Sequence, residues 1–123
     1  MAQKIAIIED EEMLCQMYRM KFEGQGYKVF IAMNGQEGLE LVEKIMPDMI
    51  LLDLMMPVMT GEEMLKAMRK TEWGKSLPVI VLTNLGDDAL IEKLKRYKIL
   101  KYVVKANYSP SQVVSIVKTA LSQ

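Results

Sequence analysis

The stretch Met46–Leu65, MPDMILLDLMMPVMTGEEML, decides how this chain is read. Inside it Met49–Met56 runs MILLDLMM, seven apolar residues and one carboxylate, Asp53. An ionised carboxylate costs several kcal/mol to bury without a partner. Asp53 therefore pairs with a cation, or lies at the mouth of a core rather than inside it, or the run is not a strand. The flanking sequence has to choose among the three.

Working outward, short β-rich runs alternate with helical patterns. Strands are predicted at Lys4–Ile8 (KIAII), Tyr27–Ala32 (YKVFIA), Met49–Asp53 (MILLD), Pro78–Thr83 (PVIVLT) and Lys101–Lys105 (KYVVK). The first helix is predicted over Glu11–Gly24, with Met13, Leu14, Met17, Met20 and Phe22 near helical spacing and Cys15 on the apolar stripe. Helices also follow at Asn34–Ile45, Thr60–Lys70, Asp87–Tyr97 and Ser109–Leu121. Asn34 with Glu37, Thr60 with Glu63, and Ser109 with Gln112 are capping-box pairs, and Pro110 suits the first helical position. The order is (βα)₅. The first, third and fourth strands are continuous apolar runs, as expected when both faces of a parallel sheet are covered by helices.

Composition narrows the class. At 123 residues, half of them hydrophobic, the chain fits one domain with a real core. Its apolar runs are too short for a membrane span, and acids follow the first of them at once, unlike a signal peptide. With a single cysteine, a cytoplasmic setting is expected. The absence of histidine leaves oxygen ligands for any metal, which favours Mg²⁺, Mn²⁺ or Ca²⁺. Formal net charge is zero, yet residues 1–63 hold twelve acids and five bases while residues 64–123 hold four and eleven. That balance argues against a general nucleic-acid surface. The twelve methionines are read as gap-fillers of the core in preference to a binding surface.

In an open parallel sheet, ligands bind beyond the carboxyl ends of the strands, where strand order reverses. Asp53 ends the third strand, Glu9 and Asp10 follow the first, and Thr83 and Lys105 end the fourth and fifth. Three carboxylates brought together repel and call for a cation. A hard divalent ion, a lysine and a hydroxyl are equipment for a phosphoryl group, with a carboxylate oxygen attacking in line to give an aspartyl phosphate.

Glu9-Asp10, Asp53 followed by MPVMTG, Thr83 and the run YVVK ending at Lys105 together resemble the receiver domain of bacterial response regulators, over essentially the whole chain. The resemblance implies a flavodoxin-like three-layer sandwich with strand order 2-1-3-4-5, and one receiver domain over residues 1–123 of the stand-alone, chemotaxis-regulator-like kind. It implies Mg²⁺-dependent phosphorylation of Asp53, Mn²⁺ being the other candidate ion, by a sensor histidine kinase or phosphotransfer protein. A downstream protein would read the result on a face around the fourth helix, fifth strand and fifth helix. By the same resemblance Asp10, Asp53 and the backbone carbonyl of Met55 bind the ion, Glu9 acts through a metal-bound water, Lys105 pairs with the phosphoryl group, and Thr83 and Tyr102 form a switch pair.

The chain departs from the family at Ala106, where proline after a cis peptide is usual. A cis Lys105–Ala106 bond would cost about 3 kcal/mol, so trans is expected, and the loop to Ser109 is one residue longer. Asn84 stands where a small residue is usual and either crowds or hydrogen-bonds the acyl phosphate. Met55 and Leu85 flank the path of an attacking water, and their apolar surface predicts slow self-dephosphorylation.

Rival readings are a pseudo-receiver that acts as an interaction module without phosphorylation, a haloacid dehalogenase-type phosphatase and a flavodoxin. The phosphatase needs an aspartate two residues after the nucleophile, where this chain has Met55. A flavin phosphate would be repelled by the acids after the first strand. Lys93–Lys101, KLKRYKILK, holds five bases, read first as a solvated helix face and second as a dock for an acidic partner.

Overall fold

The computed structural model describes residues 2–84 and 86–123. Five strands, β1 (Lys4–Ile8), β2 (Lys28–Ala32), β3 (Met49–Asp53), β4 (Val79–Thr83) and β5 (Lys101–Val104), form one parallel sheet in the order β2-β1-β3-β4-β5. The helices are α1 (Glu12–Gly24), α2 (Gly35–Ile45), α3 (Gly61–Arg69), α4 (Asp88–Leu94) and α5 (Pro110–Leu121). This is the expected flavodoxin-like sandwich. Side chains alternate across the pleat. Ile5, Ile7, Met49, Leu51, Ile80 and Leu82 pack with Cys15, Tyr18 and Phe22 of α1 and Val113 and Val117 of α5. Ala6, Ile8, Ile50, Leu52, Val79 and Val81 pack with residues of α2, α3 and α4. Register then brings the functional strand ends level: Ile8 lies beside Leu52, Asp53 beside Leu82, and Thr83 beside Val104.

Helix starts follow the capping chemistry read from sequence, with one difference. Thr60 with Glu63 and Ser109 with Gln112 make complete boxes. At α2 the Asn34 side chain accepts from the Glu37 amide at 2.9 Å, but the Glu37 carboxylate receives the amide of Met33, at 3.5 Å, instead of that of Asn34. The caps of the complete boxes have φ of −74° and −73°, whereas Asn34 sits at −158°, which turns its own N–H away from the first turn.

Two further expectations are corrected. The fourth helix ends at Leu94 instead of Tyr97; Lys95–Tyr97 is a 3₁₀ turn, and Lys98 is left-handed with φ 59°. Arg69 is the physical reason, since its guanidinium binds the carbonyls of Tyr97 (2.7 Å) and Lys98 (3.3 Å) and turns the chain there. In α1 the buried stripe is Cys15, Tyr18 and Phe22, while Met13, Met17 and Met20 are 77%, 46% and 70% exposed. Residues two apart on a helix face nearly opposite ways, so only one stripe could be buried, and the aromatic one removes more surface from water. Met49, Met64 and Met68 do fill the core, so the gap-filling reading of methionine holds for part of the set.

The loop from Leu54 to Thr60 is held by two close backbone approaches. The Gly61 amide donates to the Leu54 carbonyl at 3.0 Å, and the Gly35 amide to the Met59 carbonyl at 2.9 Å. A Cβ on Gly61 would collide with the Asp53 carbonyl and stand 2.9 Å from the Leu54 Cα, both of them backbone. Gly61→Ala is therefore expected to destabilise the fold by roughly 1–3 kcal/mol, read as a lower urea midpoint at unchanged slope. A midpoint equal to the parent's would show that α3 does not press on the end of β3.

Candidate functional site

Beyond the carboxyl ends of β1, β3 and β5 the chain gathers Glu9, Asp10, Asp53 and Lys105. Glu9 leaves β1 with its amide on the Ala32 carbonyl (3.0 Å), which fixes the direction of the turn into α1. Glu9 is 0% exposed and Asp53 3% exposed, while Asp10 faces solvent. One carboxylate oxygen from each of the three acids lies within 4.8 Å of the other two. The Lys105 Nζ is 2.6 Å from Glu9 Oε1 and 3.1 Å from Asp53 Oδ1. The second Glu9 oxygen accepts the Glu11 amide at 3.1 Å, and the Cys15 thiol donates to the Glu9 carbonyl at 3.2 Å. The carboxylate set into the apolar run thus has its cation, and it lies at the sheet's edge, though more fully covered than a residue at an open mouth.

Burial drives the electrostatics. Desolvation pushes the Glu9 carboxyl up to about 7; the Lys105 hydrogen bond opposes the shift and the Asp53 charge adds to it. Asp53 is also raised, first by burial and then by Asp10, against the pull of Lys105. Burial works against the Lys105 charge, but Glu9 and Asp53 outweigh it and hold the ammonium above its ordinary range. Cys15, pushed up to about 12 by burial and then by Glu9 and Asp10, is an inert thiol.

Thr83 ends β4 at 1% exposure, and its Oγ1 has no hydrogen-bond partner among the described residues. The hydroxyl of Tyr102, from β5, is likewise buried and unpartnered. The Tyr102 ring packs on the core shared by α2, α3 and α4. Each unmet hydroxyl costs about 1–3 kcal/mol, so two donors are held ready for an acceptor. Asn84 is exposed, and its backbone N–H donates to Asp87 Oδ2 at 2.9 Å, ahead of α4. Met55 is 59% exposed beside Asp53. Leu85 lies outside the described residues. The Lys105–Ala106 peptide is trans, and a 3₁₀ turn over Lys105–Asn107 takes up the longer loop before Ser109.

Two features were not read from sequence. The first is the direct Glu9–Lys105 contact; the extra methylene of glutamate over aspartate was its only signal. The second is Val58, 81% exposed with φ 67° in the loop after β3. A β-branched residue there is a backbone outlier, and nothing in its residue type announces the conformation.

The family model described as response regulator receiver domain matches residues 5–118. Sporulation initiation phosphotransferase F of Bacillus subtilis is 33% identical over 105 residues, 85% of this chain and 83% of that protein. The phosphate regulon transcriptional regulatory protein PhoB of Rhizobium meliloti is 31% identical over 121 residues, 98% of this chain and 53% of that protein. The chain therefore spans about half the length of some curated relatives that it matches. Among solved structures, the chemotaxis protein CheY4 of Vibrio cholerae superposes with a TM-score of 0.87 at 28% identity, covering 97% of this chain and 98% of that one.

Removing the cation should expose the repulsion it offsets. Lys105→Met is expected to lower stability by about 3–5 kcal/mol, the usual consequence of leaving buried charge unpaired. Adding Glu9→Gln should recover a substantial part of the loss. Additive losses in chemical denaturation would mean that the two side chains are not coupled.

Proposed function

The chain belongs to the response regulator receiver domain family of two-component signalling, and on that premise we propose that it accepts a phosphoryl group on Asp53 and relays the change to a downstream protein. In this reading residues 1–123 act as one receiver domain in the cytoplasm, and the donor is a sensor histidine kinase or phosphotransfer protein. Among the described residues no helix is long and apolar enough to cross a membrane. The observation that carries the reading is Asp53 at the end of the central β3, with two acids within 4.8 Å and the Lys105 ammonium at 3.1 Å.

The donor set fits a hard divalent ion, because three carboxylates converge in a chain without histidine. Asp10, Asp53 and the Met55 carbonyl would hold Mg²⁺ or Mn²⁺ directly, with Glu9 acting through a water. When bound, the ion neutralises phosphoryl oxygens and the charge that develops on them. The remaining work falls to the chain. An Asp53 oxygen attacks phosphorus in line; the new O–P bond forms as the P–N bond of a phosphohistidine, or the P–O bond of a small phosphodonor, breaks. Lys105 exchanges part of its contact with Glu9 for a phosphoryl oxygen. Thr83 offers its unpartnered hydroxyl to the same group, and Tyr102 is the second member of the switch. Asn84, exposed at the start of the loop that follows, borders the acyl phosphate.

Intact mass after incubation with acetyl phosphate and Mg²⁺ tests this. One added phosphoryl group is expected, absent in Asp53→Asn and absent when the metal is chelated. An equal gain in Asp53→Asn would contradict the assignment, and no gain in the parent would favour the interaction module. Met55→Asn bears on the lifetime of the product. A polar side chain there can orient the attacking water, and each 1.4 kcal/mol or so of better orientation is about tenfold in rate. Decay is expected to quicken by about tenfold; an unchanged half-life would exclude apolar shielding by Met55.

A further inference from the structure

At the opposite edge of the sheet, below the amino ends of β4 and β5, lies a groove of about 850 Å³. That volume is within the range of small-molecule pockets, about 300–1,000 Å³. Its apolar floor is Leu77 and Pro78 ahead of β4, Leu100 ahead of β5, and Ile116 of α5. Leu100 stays 58% exposed there.

The walls are basic. Arg69, Lys75, Lys98 and Lys101 line the groove, and no aspartate or glutamate side chain does. Two of these cations are already engaged. Lys75 pairs with Glu72 at 2.8 Å. Arg69 donates to the carbonyls of Tyr97 (2.7 Å), Gly74 (2.8 Å), Leu77 (2.8 Å) and Lys98 (3.3 Å). Those four bonds tie the segment before β4 to the turn before β5, so both walls are built in advance of any ligand. Lys98, held left-handed at φ 59°, and Lys101 have no ion-pair partner among the described residues.

We propose that this groove binds a small amphipathic anion, with a carboxylate or sulfonate head on Lys98 and Lys101 and an apolar body on Leu77, Pro78, Leu100 and Ile116. Charge complementarity sets the sign of the ligand, since four basic side chains and no aspartate or glutamate side chain line the groove, and two of those ammonium groups have no ion-pair partner among the described residues. The apolar floor sets the body, because a purely ionic ligand would leave it in water. The site lies at the far end of the strands from Asp53 and does not depend on phosphorylation.

The probe is 8-anilinonaphthalene-1-sulfonate, titrated into the full chain while its fluorescence and the protein's amide shifts are followed. Saturable binding at one site is expected, with shifts confined to the segments around Leu77, Leu100 and Ile116. Lys98→Gln with Lys101→Gln, both exposed positions that leave the fold intact, should weaken binding about tenfold or more. The neutral N-phenyl-1-naphthylamine should bind more weakly by a similar factor. Asp53→Asn should bind as the parent does, which separates this site from the phosphoacceptor. Binding that ignores the two lysine substitutions, or shifts that map to another surface, would overturn the proposal. A groove that takes an acidic, leucine-rich peptide while refusing the sulfonate would also overturn it, in favour of a protein partner.

Discussion

The Lys105 ammonium, shared between Glu9 and Asp53 at 2.6 and 3.1 Å, is the contact on which the rest of the site depends. Three carboxylate oxygens within 4.8 Å of one another repel by several kcal/mol per ionised pair at the effective dielectric of a protein near its surface. Two of the three acids are almost wholly covered, so water cannot relieve them. One fixed cation must come from another part of the chain, and it comes from the residue after β5, with β4 between β5 and β3. The sheet order, the level strand ends and the 3₁₀ turn after β5 all bear on where that one nitrogen sits.

The same arrangement leaves the site short of positive charge. Glu9 and Asp53 both remain raised despite the lysine, so burial is not fully compensated by Lys105. A divalent ion would meet that residual demand. Alongside, Thr83 and Tyr102 keep hydroxyls that are buried without acceptors among the described residues, an arrangement costly enough to call for a reason. In the proposed function a phosphoryl oxygen supplies the acceptor for Thr83, and the free energy of satisfying it is available to shift the β4–β5 side of the molecule, where Tyr102 is the second member of the switch.

Much of this was legible in the sequence because it rests on local rules. Period and apolar runs mark all five strands, capping chemistry marks three helix starts, and the strand-end rule places Glu9, Asp10, Asp53, Thr83 and Lys105 on one edge. What escaped was set by tertiary competition. In α1 two apolar stripes compete and packing chose the aromatic one. At Leu94 helical propensity loses to the carbonyl bonds of Arg69, which arrive from α3. Val58 takes a positive φ that its side chain disfavours, in a tight turn closed by the Met59 amide on the Pro57 carbonyl at 2.7 Å. The Glu9–Lys105 bond spans 96 residues of sequence, beyond any local pattern.

The central claim is that Asp53 itself, through a carboxylate oxygen, is the phosphoacceptor. Borohydride reduction of the protein after treatment with acetyl phosphate and Mg²⁺, followed by peptide mass mapping, reads both residue and linkage, because an acyl phosphate is reduced to an alcohol and a phosphoester is not. The account predicts homoserine at position 53 and unchanged glutamate and aspartate at positions 9 and 10. Homoserine or its homologue at either of those positions, or a reduction-resistant phosphate on Thr83, would contradict it.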